Sequence, residues 1–337
     1  MADTIATNAI LNYSGTLFNK GNTRTPLSSI IGGKAKTTNH VEFVTGQEYN
    51  TGTTASQPAI SEDKSLTAPE ASVVTREQKT NVTQIFMEKV GISYAKQSNM
   101  GTLAGLNVAS QTANPINELD FQTGAKIQKV KNDIEFTFIN GKYSKATKTS
   151  EINKTRGLVE AITSNVLAMD SKPLGLWSVA EAMKSVYEGN APTDSLCLWV
   201  DPVTMYQLNA DAVQNDLTVI PNARDVNGIK LSKLITPLGE VYIYLGMYLP
   251  AGTALLLDLA VIAPVVQPVP GKGNFFLEPL AKTGAGENFQ LFGQIGLDHG
   301  PEWYHAKFTG ISTTFEAPKY TKSVYVAGGS VTTKAGT

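Results

Sequence analysis

A chain of 337 residues with 28 Lys and Arg against 29 Asp and Glu carries a formal net charge of -1. It therefore has no basic field with which to grip nucleic acid. The single cysteine, Cys197, excludes an internal disulfide. The longest apolar run, residues 254–266, is too short to span a bilayer and contains Asp258 and Pro264, and the start of the chain has no basic stretch leading into an apolar one.

Residues 1–40 are rich in Thr, Asn, Ser and Gly, with Leu11, Tyr13, Leu17, Phe18, Leu27, Ile30 and Ile31 scattered without a period. They read as an extended arm that cannot fold alone. Residues 41–95 read as a protruding hairpin. Its first strand lies in 40–49 (HVEFVTGQEY) and its return strand in 72–94, around a polar tip at 50–71. A loop of this length inside a compact domain signals function or disorder.

Residues 96–155 hold a connector, a long helix and a Lys- and Thr-rich loop. The helix is predicted over 115–140, with Asn114 as N-cap, Pro115 in the first turn and Gly141 as stop. Ile116, Leu119, Ile127, Val130, Ile134 and Phe138 form one apolar stripe, while Lys126, Lys129, Lys131, Asp133 and Glu135 fall mostly on the other side. At 1.5 Å per residue such a helix is roughly 39 Å long, a strut where the mean helix has about three turns.

Residues 156–272 have α/β texture. Helices are expected over Arg156 to Met169, from a capping box at Ser178–Glu181 to Val186, and after Asp201-Pro202. Strands are expected at 195–200, at 241–249 where residues alternate, and at 254–262, with Pro264, Pro268 and Pro270 marking the exit from this layer. Residues 273–315 read as returning strands at 274–281, 287–300 and 302–313, joined by glycine turns, and 316–337 as a tail without a packing signal. The whole predicts an α+β fold. A charged fraction of 17 %, against about a quarter in ordinary soluble domains, points to a surface hidden in contacts with other chains.

No catalytic, cofactor or metal site emerges. His299 and His305 flank Glu302, but six residues and Gly300-Pro301 separate the two histidines, where a zincin helix needs a spacing of four. A polar turn is the simpler reading. Cys197, between two leucines, reads as a buried inert thiol. Gly32-Gly33-Lys34 and Gly271-Lys272-Gly273 lack the spacing of a phosphate loop. Asp258 in an apolar strand suits a hydrogen-bonding role better than that of a shifted acid.

The order of parts resembles the major capsid proteins of tailed phages, with their Hong-Kong-ninety-seven-type fold. Asn81-Val-Thr-Gln-Ile85 leading to Gly91-Ile-Ser93 is similar to the return strand of the E-loop in one subfamily. Lys131-Asn-Asp-Ile-Glu135 before Asn140-Gly141 is similar to the end of its spine helix, and Gly300-Pro-Glu-Trp303 through Gly310 to its final P-domain strand. The resemblance implies an N-arm (1–40), an E-loop (41–95), a P-domain with the spine helix (96–155), an A-domain (156–272), returning P-domain strands (273–315) and a tail (316–337). It implies a subunit made in the host cytoplasm that assembles into hexamers and pentamers of an icosahedral head. That head would enclose double-stranded DNA without binding it specifically and would have no membrane. A separate scaffolding protein and a portal are implied partners. Phe18, Arg24, Glu62, Asp63, Glu70, Arg76, Lys79 and Lys129 are the candidate inter-subunit contacts. An encapsulin-type nanocompartment shell, or an enzyme or binding protein sited in the α/β block, are the alternatives.

Overall fold

The computed structural model describes residues 25–49, 57–68, 76–95, 118–214, 232–282, 284–314, 322–325 and 331–334. Helix α1 (Pro26–Ile31) is followed by strands β1 (Lys36–Thr37) and β2 (Glu42–Tyr49), a one-turn helix α2 (Glu62–Ser65), β3 (Arg76–Val82) and β4 (Gln84–Ser93). The long helix α3 (Glu118–Asn140) and the short α4 (Leu158–Ala161) come next. Then come β5 (Val166–Ala168), α5 (Leu176–Glu188), β6 (Leu196–Val200), α6 (Pro202–Gln214), β7 (Ser232–Thr236), β8 (Gly239–Leu245) and β9 (Ala254–Asp258). The chain closes with β10 (Ala263–Gln267), β11 (Phe275–Pro279), β12 (Gly286–Asp298), β13 (Ala306–Thr309) and the pair β14 (Lys322–Tyr325) and β15 (Val331–Lys334).

Two larger sheets organise these elements. The first is built around β12, which pairs antiparallel with β4, β10 and β11, while β1 adds in parallel to β10. The second has the order β5-β13-β9-β6-β8-β7. Helix α3 lies against β4 and β12. Its stripe Ile127, Val130, Ile134 and Phe138 is buried, as the periodicity predicts, in one core with Phe86, Leu291, Ile295 and Leu297. The second sheet shares that core. Cys197, Trp199, Leu255 and Leu257 face it, while the alternating Leu196, Leu198, Val200, Ala254 and Leu256 face a second core under α5. The period-two alternation of side chains across a strand is what lets one sheet serve two cores. Trp199 and Tyr244 stack at 4.9 Å between ring centroids on the first face.

Several expectations change. The residues at 115–117 lie outside the described residues, and the long helix is described from Glu118. The return strand of the hairpin is two strands split at Thr83. β3 pairs with β2, but β4 belongs to the first sheet. The Arg156–Met169 stretch is not one helix. Only Leu158–Ala161 turns, because Ile162 is already extended and the Thr163 N–H bonds to Glu302 instead of a helical carbonyl. Ser178 is no N-cap. Helix α5 starts at Leu176 after Gly175, where the Leu176 N–H donates to the Asp211 carboxylate across the helix pair. Pro264 sits inside β10, at the end that β1 leaves unpaired, where a missing N–H costs nothing.

The strand expected over 254–262 ends at Asp258, and the one over 241–249 ends at Leu245. The run 302–313 does not return beside β12. Gly300, with φ +65°, turns the chain away, Glu302–Tyr304 form a helical turn, and β13 joins the second sheet between β9 and β5. The tail contains the paired strands β14 and β15.

Candidate functional site

His299 and His305 are tied into the backbone around them. His305 is fully buried. The Asp258 N–H donates to its Nδ1 at 3.1 Å, and its Nε2 donates to the His299 carbonyl at 2.8 Å. Those two bonds fix a neutral ring with the proton on Nε2. His299 holds the Gly300 carbonyl through Nδ1 at 2.7 Å, and its buried Nε2 has no partner among the described residues. Burial, the neighbouring His305 and Arg156 push the His299 imidazole down to about 4, against the pull of the Gly300 carbonyl and Asp298. Among the described residues no cluster of His, Cys, Asp or Glu has the arrangement of a metal site. Cys197 is buried and its thiol is pushed up to about 12, chiefly by burial and by Asp258, which makes it inert. Asp258 accepts from the Ser195 hydroxyl at 2.5 Å and the Ala260 N–H at 2.8 Å, a structural role.

The prominent surface feature is the hairpin built on β2 and β3. Residues 57–68 are all exposed. Ser61 caps α2 by accepting the Lys64 N–H, and Glu62 and Asp63 suit the positive end of that turn. Ile60 and Leu66 beside it are 69 % and 83 % exposed.

The base of the hairpin is held firmly. Asp298 accepts from Lys36 at 2.6 Å, from the Thr45 hydroxyl at 2.9 Å and from the Gly300 N–H at 3.1 Å. Asn81 is fully buried. Its amide donates to the carbonyls of Leu297 and Arg156, and its oxygen accepts the N–H of Arg156 and Val82. That one side chain ties β3 to β12 and to the segment before α4.

Of the candidate contacts, Glu62 and Asp63 sit on the exposed tip. Lys79 lies 3.6 Å from Glu302, whose carboxylate also takes the hydroxyls of Thr163 and Ser164. Burial acts to raise the Glu302 carboxyl, but those hydrogen bonds hold it below its ordinary value. Lys129 bonds Glu88 of β4, beside Lys126, and lies 4.0 Å from Asp133. Phe18, Arg24 and Glu70 lie outside the described residues, as does the side chain of Arg76 at the start of β3. Sequence reasoning missed Asn81, Glu135, Asp298 and Glu302 as organisers. The available signal was polarity inside apolar stretches: Glu135 follows Ile134, and Asp298 follows Leu297.

Two solved structures share this architecture. The holo-SrpI encapsulin complex from Synechococcus elongatus PCC 7942 superposes with a TM-score of 0.59 at 12 % identity, over 93 % of this chain and 100 % of that one. The capsid asymmetric unit of cyanophage A-1(L) gives 0.59 at 10 % identity, over 87 % of this chain and 94 % of that one. The fold is thus the Hong-Kong-ninety-seven-type capsid fold. No curated protein matches the sequence. The family model described as SU10 major capsid protein matches residues 1–312, and the chain belongs to that family of bacteriophage major capsid proteins.

Proposed function

We propose that this subunit assembles with copies of itself into hexamers and pentamers, closing the icosahedral head of a tailed phage around double-stranded DNA. The observation that carries the reading is the hairpin tip. It presents Ile60 and Leu66, both largely exposed, beside Glu62 and Asp63, beyond a base stitched tightly to the body. A well-anchored base and an apolar tip that is exposed among the described residues fit a strap laid over a neighbour, where burial of the tip adds to many weak, symmetric contacts. In this reading residues 1–40 are the N-arm, 41–95 the E-loop, 96–155 and 273–315 the P-domain, 156–272 the A-domain and 316–337 a tail. Phe18, Arg24, Glu62, Asp63, Glu70, Arg76, Lys79 and Lys129 supply contacts between subunits. Assembly takes place in the host cytoplasm on a separate scaffolding protein and a portal. With a net charge of -1, the wall confines DNA without gripping it. Negative-stain microscopy of the expressed protein, alone and with the scaffolding partner, tests the reading. Closed shells with five- and six-fold capsomers are expected, and a monodisperse small oligomer in both samples would overturn it.

A further inference from the structure

We propose that the junction between the two sheets is an acid-operated joint, in which proton uptake by the buried His299–His305 pair opens the paired crossovers and releases the base of the hairpin. Besides the long connection from β4 to β5, two short connections join the sheets, residues 259–262 between β9 and β10 and residues 299–305 between β12 and β13. They pack on each other so closely that a side chain on Gly300 would meet Val261 at 2.9 Å. His305 stitches them together, taking the Asp258 N–H from one and giving its own proton to the His299 carbonyl in the other.

The hydrogen bonding leaves no place for a second proton. A proton on His305 Nδ1 would point at the Asp258 N–H, donor against donor. A proton on His299 Nε2 would be a buried N–H with no acceptor, because that atom has no partner among the described residues and the residue is 1 % exposed. Either state carries the penalty of an uncompensated buried donor and a buried charge.

Burial opposes a charge on His305, while Asp258 and Glu302 draw one toward it, and most of the carboxylates that face the pair already have partners. On the crossover itself, Asp298 is taken by Lys36 of β1, Thr45 and Gly300, and Glu302 by Thr163, Ser164 and Lys79 of β3. Arg156, in the segment before α4, repels a charge on His299. Lys34 is held by the Leu259 carbonyl. From β9, Asp258 keeps one oxygen, Oδ2, without a partner among the described residues, so an acceptor is at hand once the His305 ring moves. The joint thus has a closed form built on two neutral rings and an open form that accepts protons. Opening strains the contacts that fix the hairpin base, since the His299 N–H and Asp298 both hold the Thr45 hydroxyl.

The test is amide hydrogen exchange on the assembled full-length protein at pH 7.5 and pH 5, compared as protection factors. An imidazole held at about 4 against about 6.5 in an open, solvated state predicts a loss of about 30-fold in protection at pH 5. The loss should fall on residues 257–262, 298–305 and the hairpin base 42–46, with α5 unchanged. His299→Asn keeps a donor for the Gly300 carbonyl and cannot be protonated, so in that variant the loss should shrink. If the variant does not fold, the pH series on the unmodified protein decides alone. Equal protection at both pH values, or an equal loss across α5, would overturn the proposal.

Discussion

Glu135 offers a perturbation whose size and sign follow from the structure. It is fully buried on the long helix α3 and accepts the Leu27 N–H at 2.9 Å and the Ser28 N–H at 2.7 Å. Thr25, the N-cap of α1, makes no side-chain cap bond, so Glu135 caps that helix from across the core. Burial pushes its carboxyl up to about 7, against the two N–H donors and the Ser28 hydroxyl, which favour the ionised form. A folded value above the unfolded value of 4.5 means that its contribution is complete below pH 4.5 and declines as pH rises through 7. At 1.36 kcal/mol per pH unit the decline amounts to about 3 kcal/mol.

Glu135→Gln removes that dependence while keeping one acceptor. At pH 5 the variant should be less stable by about 1–2 kcal/mol, since one buried N–H loses its partner. By pH 8 the deficit should vanish or reverse. Urea midpoints of the two proteins, measured in the same assembly state from pH 5 to 8, read the difference directly. Two curves that run parallel over that range would refute the reasoning.

Other expectations follow from the same contacts. Ile134→Asp puts an unpaired charge where exposure is 1 % and should cost upwards of about 4 kcal/mol, giving insoluble protein. Lys129→Asp, on the exposed face beside Glu88, should stay soluble but assemble poorly, and equal solubility of the two would place the wrong face inward. Asn81→Ala leaves the Val82 and Arg156 N–H groups and the Leu297 carbonyl unpaired and should lower stability by about 3 kcal/mol, read by thermal melting. Trypsin should cut after the exposed Lys64 in free subunits and spare it in assembled particles, and equal cutting in both would deny the tip a partner.

The long helix was legible because its stripe repeats through Ile127, Val130, Ile134 and Phe138 with Lys126, Lys129 and Asp133 off it, but Glu135, read with the outward charges, is fully buried against α1. Leu196–Val200 was legible because a run of five apolar residues ending at Asp201-Pro202 is too short for an ordinary helix, and all five are buried. What failed were elements decided by distant partners. Whether Thr163 continues a helix depends on Glu302, 139 residues away, and the true start of α5 depends on Asp211. Likewise, Gly300-Pro301 has the composition of a hairpin turn, yet the packing of Gly300 on Val261 makes it a crossover between sheets. The exposed tip was read from composition, but the hub formed by Asn81, Asp298 and Glu302 was not. Asn81 reaches Leu297, 216 residues away, and a lone sequence carries no sign of that pairing.

The central claim is that this chain builds a closed shell whose neighbours are clasped by the hairpin tip. Cryo-electron microscopy of particles assembled from the full-length protein tests it most directly. The account predicts icosahedral shells in which Ile60 and Leu66 lie buried against an adjacent copy, with Glu62 and Asp63 facing that copy's basic side chains. Shells in which residues 57–68 stand free in solvent, or a protein that forms no closed particle, would contradict it.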